Sequence, residues 1–479
     1  MLPPSDSNPT GYRPSAIGVS LIFMRIRNLL LTAFFLAPAS LPAQDAQYWT
    51  YQYGTRATLL GGAVIGSVLD ISAAFYNPGG LALIDDPELV ATSRVIEASG
   101  VSIERQDDAL FDLSQLRLDM APGFFGGILP FSFLGDDHVL GYSMFTRYFM
   151  KSDLNSFLVG TAVHPVDSVA INIFGEFRLE NRLSETWIGL TWSHQVSGPT
   201  GIGASLFVSS RSQEGESRSS LQGLTAGEAG AVSSRQNLYT YWNYGVLLKT
   251  GATFEYQKTS FGLTLTTPRL SVLGQGKMVS QASSFGQDLD LDGVPDPTFA
   301  AIVAEDLKAT SKSSWAFGFG ASRSFGNARI HLTAEYFTAL ETYDILPPQS
   351  TISIPGGDTV TVRVQHTLDD VLNVGAGVEY EVSPVVSTFL AFRTDFSAKR
   401  PGVAGDVSIS SWDIFFGTVG VALTIGPASL NLGLAYGGGG DVRDIQDIKN
   451  QIPPRLGELL PDELHLSYRT MRFIFAFSI

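Results

Sequence analysis

Cysteine is absent from this chain of 479 residues, which excludes disulfides, thiol catalysis and zinc–thiolate centres. Charge is scarce: Asp, Glu, Lys and Arg make up 16% of the residues, and the formal net charge is −15. So acidic a balance argues against a nucleic-acid partner, which would meet a basic face. Downstream of the N-terminal region no unbroken apolar run reaches the ~20 residues that a membrane-crossing helix needs. Hydrophobic residues nevertheless make up 44% of the chain. Apolar content without long runs fits apolar residues spread over every second position.

That alternation is present along nearly the whole chain. Trp242, Tyr244, Val246 and Leu248 alternate with Asn243, Gly245, Leu247 and Lys249, and Phe317 and Phe319 with Gly318 and Gly320. The second face reads as small and polar rather than charged, which suits a narrow lumen. A soluble sandwich would also alternate, but its solvent faces would be richer in Lys and Glu. Near the C-terminus Phe473, Phe475, Phe477 and Ile479 fall on one strand face. Such a face suits a lipid-facing closing strand, and it resembles the signal that barrel-insertion machinery reads. The expected fold is therefore all-β: a transmembrane antiparallel β-barrel. Short turns are expected near 133–137, 197–200, 257–259, 326–328, 383–385 and 426–429. Long loops are expected near 151–168, 218–238, 276–312, 346–365, 400–408 and 441–463. The stretch 351–364 reads as a hairpin beyond the membrane, and 151–182 has room for an extra hairpin. With a first hairpin of 88–103 and 118–129 the count is about fourteen strands, with twelve or sixteen open.

Upstream, Arg25 and Arg27 precede the apolar run Leu29–Leu36 and a small-residue stretch ending at Ala43. This is signal-peptide logic, with cleavage expected after Ala43 and Met24 a plausible start. Residues 44–87 are unlike a strand. They are rich in Gly and Ala and contain the turn-forming Asn77-Pro78-Gly79-Gly80. A compact segment of this kind ahead of a barrel fits a plug inside the lumen, or else a periplasmic extension. The expected division is 1–43 upstream extension and signal, 44–87 hatch, and 88–479 barrel.

Gly54, Arg56, Gly61, Gly62, Ala63, Asp70, Asn77, Pro78, Gly80 and Leu81 resemble the N-terminal pattern of the outer-membrane long-chain fatty-acid and hydrophobic-compound transporters (FadL-like). That family includes aromatic-hydrocarbon uptake channels. Gly79 departs from the pattern, where Ala is usual. The resemblance implies a fourteen-stranded barrel in the outer membrane of a Gram-negative-type bacterium, with the N-terminus folded inside as a hatch. It implies passive uptake of a hydrophobic small molecule such as a fatty acid or hydrocarbon, without enzymatic chemistry. Asn77, Pro78, Gly79 and Gly80 would then bend as the hatch moves, with Arg56 and Asp70 fixing it. These residues serve equally well if they only pack the plug. Phe75 and Tyr76 are candidate ligand contacts. Some family members act instead as secretion or surface-attachment factors, which is the alternative reading.

Asp288, Asp290, Asp292 and Asp296, with Gly293 between them, place carboxylates as a calcium loop does. The twelfth position is Phe299 rather than the Glu of an EF-hand. A structural calcium ion is the expected ligand, and no other cofactor is. The six His residues carry no motif, and most read as interfacial or loop positions. No Gly-x-Ser-x-Gly occurs, so a hydrolase is disfavoured. A general porin is disfavoured by the neutral lumen face and the preceding plug.

Overall fold

A computed structural model describes residues 46–478 apart from 69, 85–89, 92–93, 105–113, 122, 130–136, 164–169, 226–229, 287–296, 356, 401–402, 404, 409, 426–427 and 445–462. The signal-like region and the aspartate-rich loop therefore lie outside the described residues. The alternating segments form strands in chain order. The first eight are β1 (Val90–Ala91), β2 (Arg94–Glu104), β3 (Ser114–Ala121), β4 (Phe124–Leu129), β5 (His138–Val163), β6 (Ala170–Ser197), β7 (Thr200–Thr225) and β8 (Gly230–Tyr256). Next come β9 (Thr259–Thr266), β10 (Leu270–Phe285), β11 (Thr298–Lys308), β12 (Ala316–Phe325), β13 (Ala328–Phe337) and β14 (Leu340–Ile352). The last six are β15 (Thr359–Leu368), β16 (Val371–Ser383), β17 (Val386–Asp395), β18 (Asp413–Ile425), β19 (Ala428–Asp444) and β20 (Glu463–Ser478).

Every ladder is antiparallel. β4 pairs with β5, and β5 to β8 pair in sequence. β8 carries β9 along its C-terminal end and β10 along the rest. β9 pairs on to β12 and β10 to β11. β12, β13 and β16 to β20 continue the order, and β20 pairs on its other edge with β2. Among the described residues β3 pairs with β2 alone, so the edge of β5 beyond Phe145 lacks a strand partner on that side. β14 and β15 form a separate two-stranded sheet, the hairpin expected within 351–364.

Side chains sort by face. Trp242, Tyr244 and Leu248 are exposed on β8, while Tyr241, Asn243, Leu247 and Lys249 are buried. Phe317 and Phe319 are likewise exposed on β12, and Phe473, Phe475 and Phe477 on β20. So continuous a band of exposed apolar side chains exceeds what a water-facing surface carries and fits lipid contact. Among the described residues no helix is long and apolar enough to cross a membrane.

The tight turns expected at 197–200, 257–259, 326–328 and 383–385 fall between β6 and β7, β8 and β9, β12 and β13, and β16 and β17. Three expected loops are instead strand. Residues 151–163 continue β5, 218–225 and 230–238 belong to β7 and β8, and most of 276–312 is β10 and β11. No extra hairpin interrupts 151–182, because β5 and β6 stay in one ladder. β5 to β8 reach 26–28 residues each. Their far halves carry exposed ion pairs, such as Arg178 with Asp153 and Arg218 with Glu216. Gly, Ser and charge on both faces erase the alternation that marks a half-buried strand.

The opposite face also corrects the expectation of neutrality. Arg147, Glu185, Arg211, Lys249, Arg269, Glu335, Arg393 and Arg472 are buried there. Arg211 pairs with Glu185 at 2.8 Å and Lys249 with Glu335 at 3.5 Å. These charges are spread thinly among Gly, Ser and Thr, so no single strand reads as charged.

Candidate functional site: the N-terminal segment and its seat

Residues 46–84 fold as short pieces: α1 (Thr55–Leu59), α2 (Ala73–Tyr76) and a 3₁₀ turn at Pro78–Leu83. None is long enough to be stable alone, so packing holds them. Leu59, Leu60, Ala73, Ala74 and Leu81 are fully buried. They lie against the charged, small-residue face of the sheet. Glycines on that face make the room: a Cβ at Gly377 would lie 2.8 Å from Leu60, and one at Gly420 2.6 Å from Leu59. The small residues of the alternating pattern thus have a spatial cause, since they accommodate this segment.

Asn77 anchors the turn. Its side chain is fully buried, and its amide nitrogen lies 2.9 Å from Ile65 O, 3.0 Å from Ala252 O and 2.8 Å from Thr253 Oγ1. Its carbonyl accepts from the amide of Gly79 at 3.2 Å, capping the 3₁₀ turn. Pro78 occupies the first position of that turn, where its missing N–H costs nothing. Gly79 presses on the backbone of β7 and β8. A Cβ there would stand 2.7 Å from Gly201 O and 2.8 Å from Gly251 O. That contact gives the departure from Ala at this position a physical reason. Gly80 has ordinary room, with Thr253 Oγ1 3.7 Å from where its Cβ would be.

Arg56 and Asp70 do not pair with each other. Arg56 donates from Nε and Nη2 to Glu379 on β16 at 2.9 and 2.5 Å, and from Nη1 to Ser67 O at 3.0 Å. Its Nη2 also lies 3.2 Å from Nε2 of His331, which is fully buried on β13. His331 and His366 are buried and stand apart from the interfacial or loop reading given to most of the histidines. Asp70 stays within the segment, accepting from the amide of Ser72 at 2.8 Å and from its hydroxyl. Burial pushes the Asp70 pKa up, opposed by those hydrogen bonds and by the charge of Arg56.

Further clamps link the segment to distant strands. Trp49 donates its amide to Asp395 on β17 at 2.8 Å and its indole N–H to Glu335 on β13 at 2.8 Å. Arg393 and Arg472 donate to the carbonyls of Trp49 and Thr50, each at 2.5 Å. Tyr53 donates to Thr146 O on β5 at 2.7 Å. Spacing in the sequence did not reveal these partners, because register between strands decides which side chains meet.

Phe75 and Tyr76 lie side by side, ring centroids 5.1 Å apart. Both line a cavity with Tyr48, Trp49, Lys249 and Glu335. It measures about 20 Å³, room for a water or two. A benzene-sized ligand occupies an apolar cavity of about 150 Å³, so a hydrocarbon enters this place only if the segment moves. Among the described residues no group of three or more His, Asp or Glu could hold a metal ion.

An antiparallel sheet with an exposed apolar face and an opposite charged face that seats residues 46–84 has the make-up of a membrane β-barrel wall. Solved structures bear this out at the level of fold. The chain is similar to a Pseudomonas aeruginosa FadL homologue, with 13% identity, TM-score 0.53, and coverage of 92% of this chain and 99% of that one. The P. putida toluene transporter TodX matches at 12% identity and TM-score 0.54 over 89% and 98% of the two chains. The Ralstonia pickettii toluene transporter TbuX matches at 11% identity and TM-score 0.52 over 89% and 97%. No sequence-family profile matches the chain, and no curated protein matches its sequence. The fold is thus one shared with the FadL homologue and the toluene transporters.

Proposed function

We propose that this protein is an outer-membrane channel for passive uptake of hydrophobic small molecules, with residues 44–87 as its hatch. The wall, 88–479, is a closed barrel of fourteen strands. In it β1 with β2, β3 with β4, β9 with β10 and β11 with β12 each count as one broken strand, and β14 and β15 prolong their neighbours. Residues 1–43 are the upstream extension and signal. The observation that carries the reading is the seating of 46–84 on the inner face of a sheet that shares its fold with hydrocarbon channels. Apolar solutes cross a polar lipopolysaccharide layer poorly, and a protein-lined route shields them from it.

Movement of the hatch about Asn77–Gly80 opens the route, with Phe75 and Tyr76 touching the passing ligand and Arg56 and Asp70 holding the closed position. The edge of β5 beyond Phe145, without a strand partner among the described residues, supports a sideways exit into the bilayer. Long-chain fatty acids and hydrocarbons are the ligand classes, membrane lipid surrounds the wall, and barrel-insertion machinery reads β20. Asp288, Asp290, Asp292 and Asp296 hold a structural calcium ion. Terbium luminescence titration, lost in Asp290→Asn with Asp292→Asn, tests the ion, and equal binding by the variant refutes it. For transport, the test is uptake of labelled fatty acid and labelled toluene into liposomes by wild type and Asn77→Ala. Uptake of neither compound by correctly inserted wild type removes the transport reading.

A further inference from the structure

Phe75 occupies a place that its hydrophobicity alone does not explain. One face of its surroundings is aromatic: Tyr53 lies at 4.7 Å and Phe145 at 5.1 Å, both edge-on. The other contacts are cations. Lys249 Nζ stands 4.9 Å from the ring centroid and the Arg147 guanidinium 5.8 Å. Lys249 is buried and steadied by Glu335, which also accepts from the indole of Trp49. Arg147 is buried too, and its Nη1 has no hydrogen-bond partner among the described residues. A buried guanidinium short of hydrogen bonds needs other compensation. The π faces of Phe75, Tyr148 and Trp187, all within 5.8 Å, supply it.

We propose that Phe75 is the stopper of the channel and that Arg147 on β5 and Lys249 on β8 are the positioning residues that hold it closed through the faces of its ring. This rests on the reading of 46–84 as a hatch and adds to it the contact that must break first. The two cations come from separate strands, so the ring bridges two parts of the wall. In each the cation is desolvated, the condition under which such contacts are strongest. A ligand that displaces the ring must expose both cations or offer them a comparable face.

The test is ion conductance across planar bilayers, which needs no hydrophobic ligand and so separates this proposal from the transport reading. Correct insertion is checked by heat-modifiable mobility on gels. Phe75→Ala gives a persistent conductance that wild type lacks. Phe75→Leu keeps most of the bulk but loses the ring face, and Lys249→Met removes one cation. Lys249→Met raises open probability by roughly tenfold, the size expected of one desolvated contact, and Phe75→Leu, which loses two, by roughly a hundredfold. Phe75→Trp restores closure. Inserted Phe75→Ala with wild-type conductance overturns the stopper. Phe75→Leu or Lys249→Met closing as tightly as wild type overturns the cation clamp. Wild type that transports no hydrophobic compound, yet shows this pattern, defeats the uptake reading alone.

Discussion

Replacing Asn77 by Ala is the sharpest probe of the hatch, because one buried side chain ties together three pieces of backbone. Its amide serves Ile65 O within the segment and Ala252 O and Thr253 Oγ1 on β8, while its carbonyl caps Gly79. With two N–H groups and one carbonyl engaged, about three hydrogen bonds vanish, each worth about 1 kcal/mol net. The abandoned acceptors are buried, which adds to the cost rather than relieving it. The closed position should weaken by about 3 kcal/mol, roughly a hundredfold in the open fraction. Hydrogen exchange followed by mass spectrometry reads this directly as faster exchange in peptides from 46–84. Protection of the β6–β7 ladder should stay unchanged. Asn77→Asp should be worse, since a carboxylate would face carbonyl oxygens. Wild-type exchange in inserted Asn77→Ala would refute the argument that this side chain fastens the segment.

Three further outcomes are expected. Gly79→Ala should loosen the same peptides by about 1–3 kcal/mol, as overpacking does, because backbone oxygens of two strands cannot yield; unchanged exchange would show that the seat is looser than drawn. Phe319→Arg, on the exposed face of β12, should lower stability in lipid vesicles by about 2–4 kcal/mol in urea titrations; a neutral effect would mean that this face does not meet lipid. Asp70 has a raised pKa, so its contribution is fully present below the ordinary value of 3.8 and is lost as pH rises through the elevated folded value. Protection of 46–84 should therefore be higher at acidic than at alkaline pH in wild type, and this dependence should shrink in Asp70→Asn; an identical profile in both would discard the role of Asp70.

The parts legible in the sequence are those governed by local rules. Alternation in β8, β12 and β20 was visible because each strand has one apolar face. Asn77-Pro78-Gly79-Gly80 announced a turn through its own backbone preferences. The far parts of β5, β7 and β8 were misread as loops, since a strand wet on both faces has no period to show. The inner face was misread for a different reason. Arg147 and Lys249 are single charges on separate strands, and only the ladders bring them to one ring. Likewise Glu379 and His331 lie far from Arg56 in sequence and meet it through pairing between β13 and β16.

The length of the four great strands has an anatomical consequence. At about 3.4 Å per residue and a tilt of about 45°, a strand like β6 climbs roughly 65 Å, against an apolar bilayer core of about 30 Å. On the membrane reading about half of such a strand stands clear of the hydrocarbon, and exposed charged side chains such as Arg178, Asp153 and Arg218 line that half.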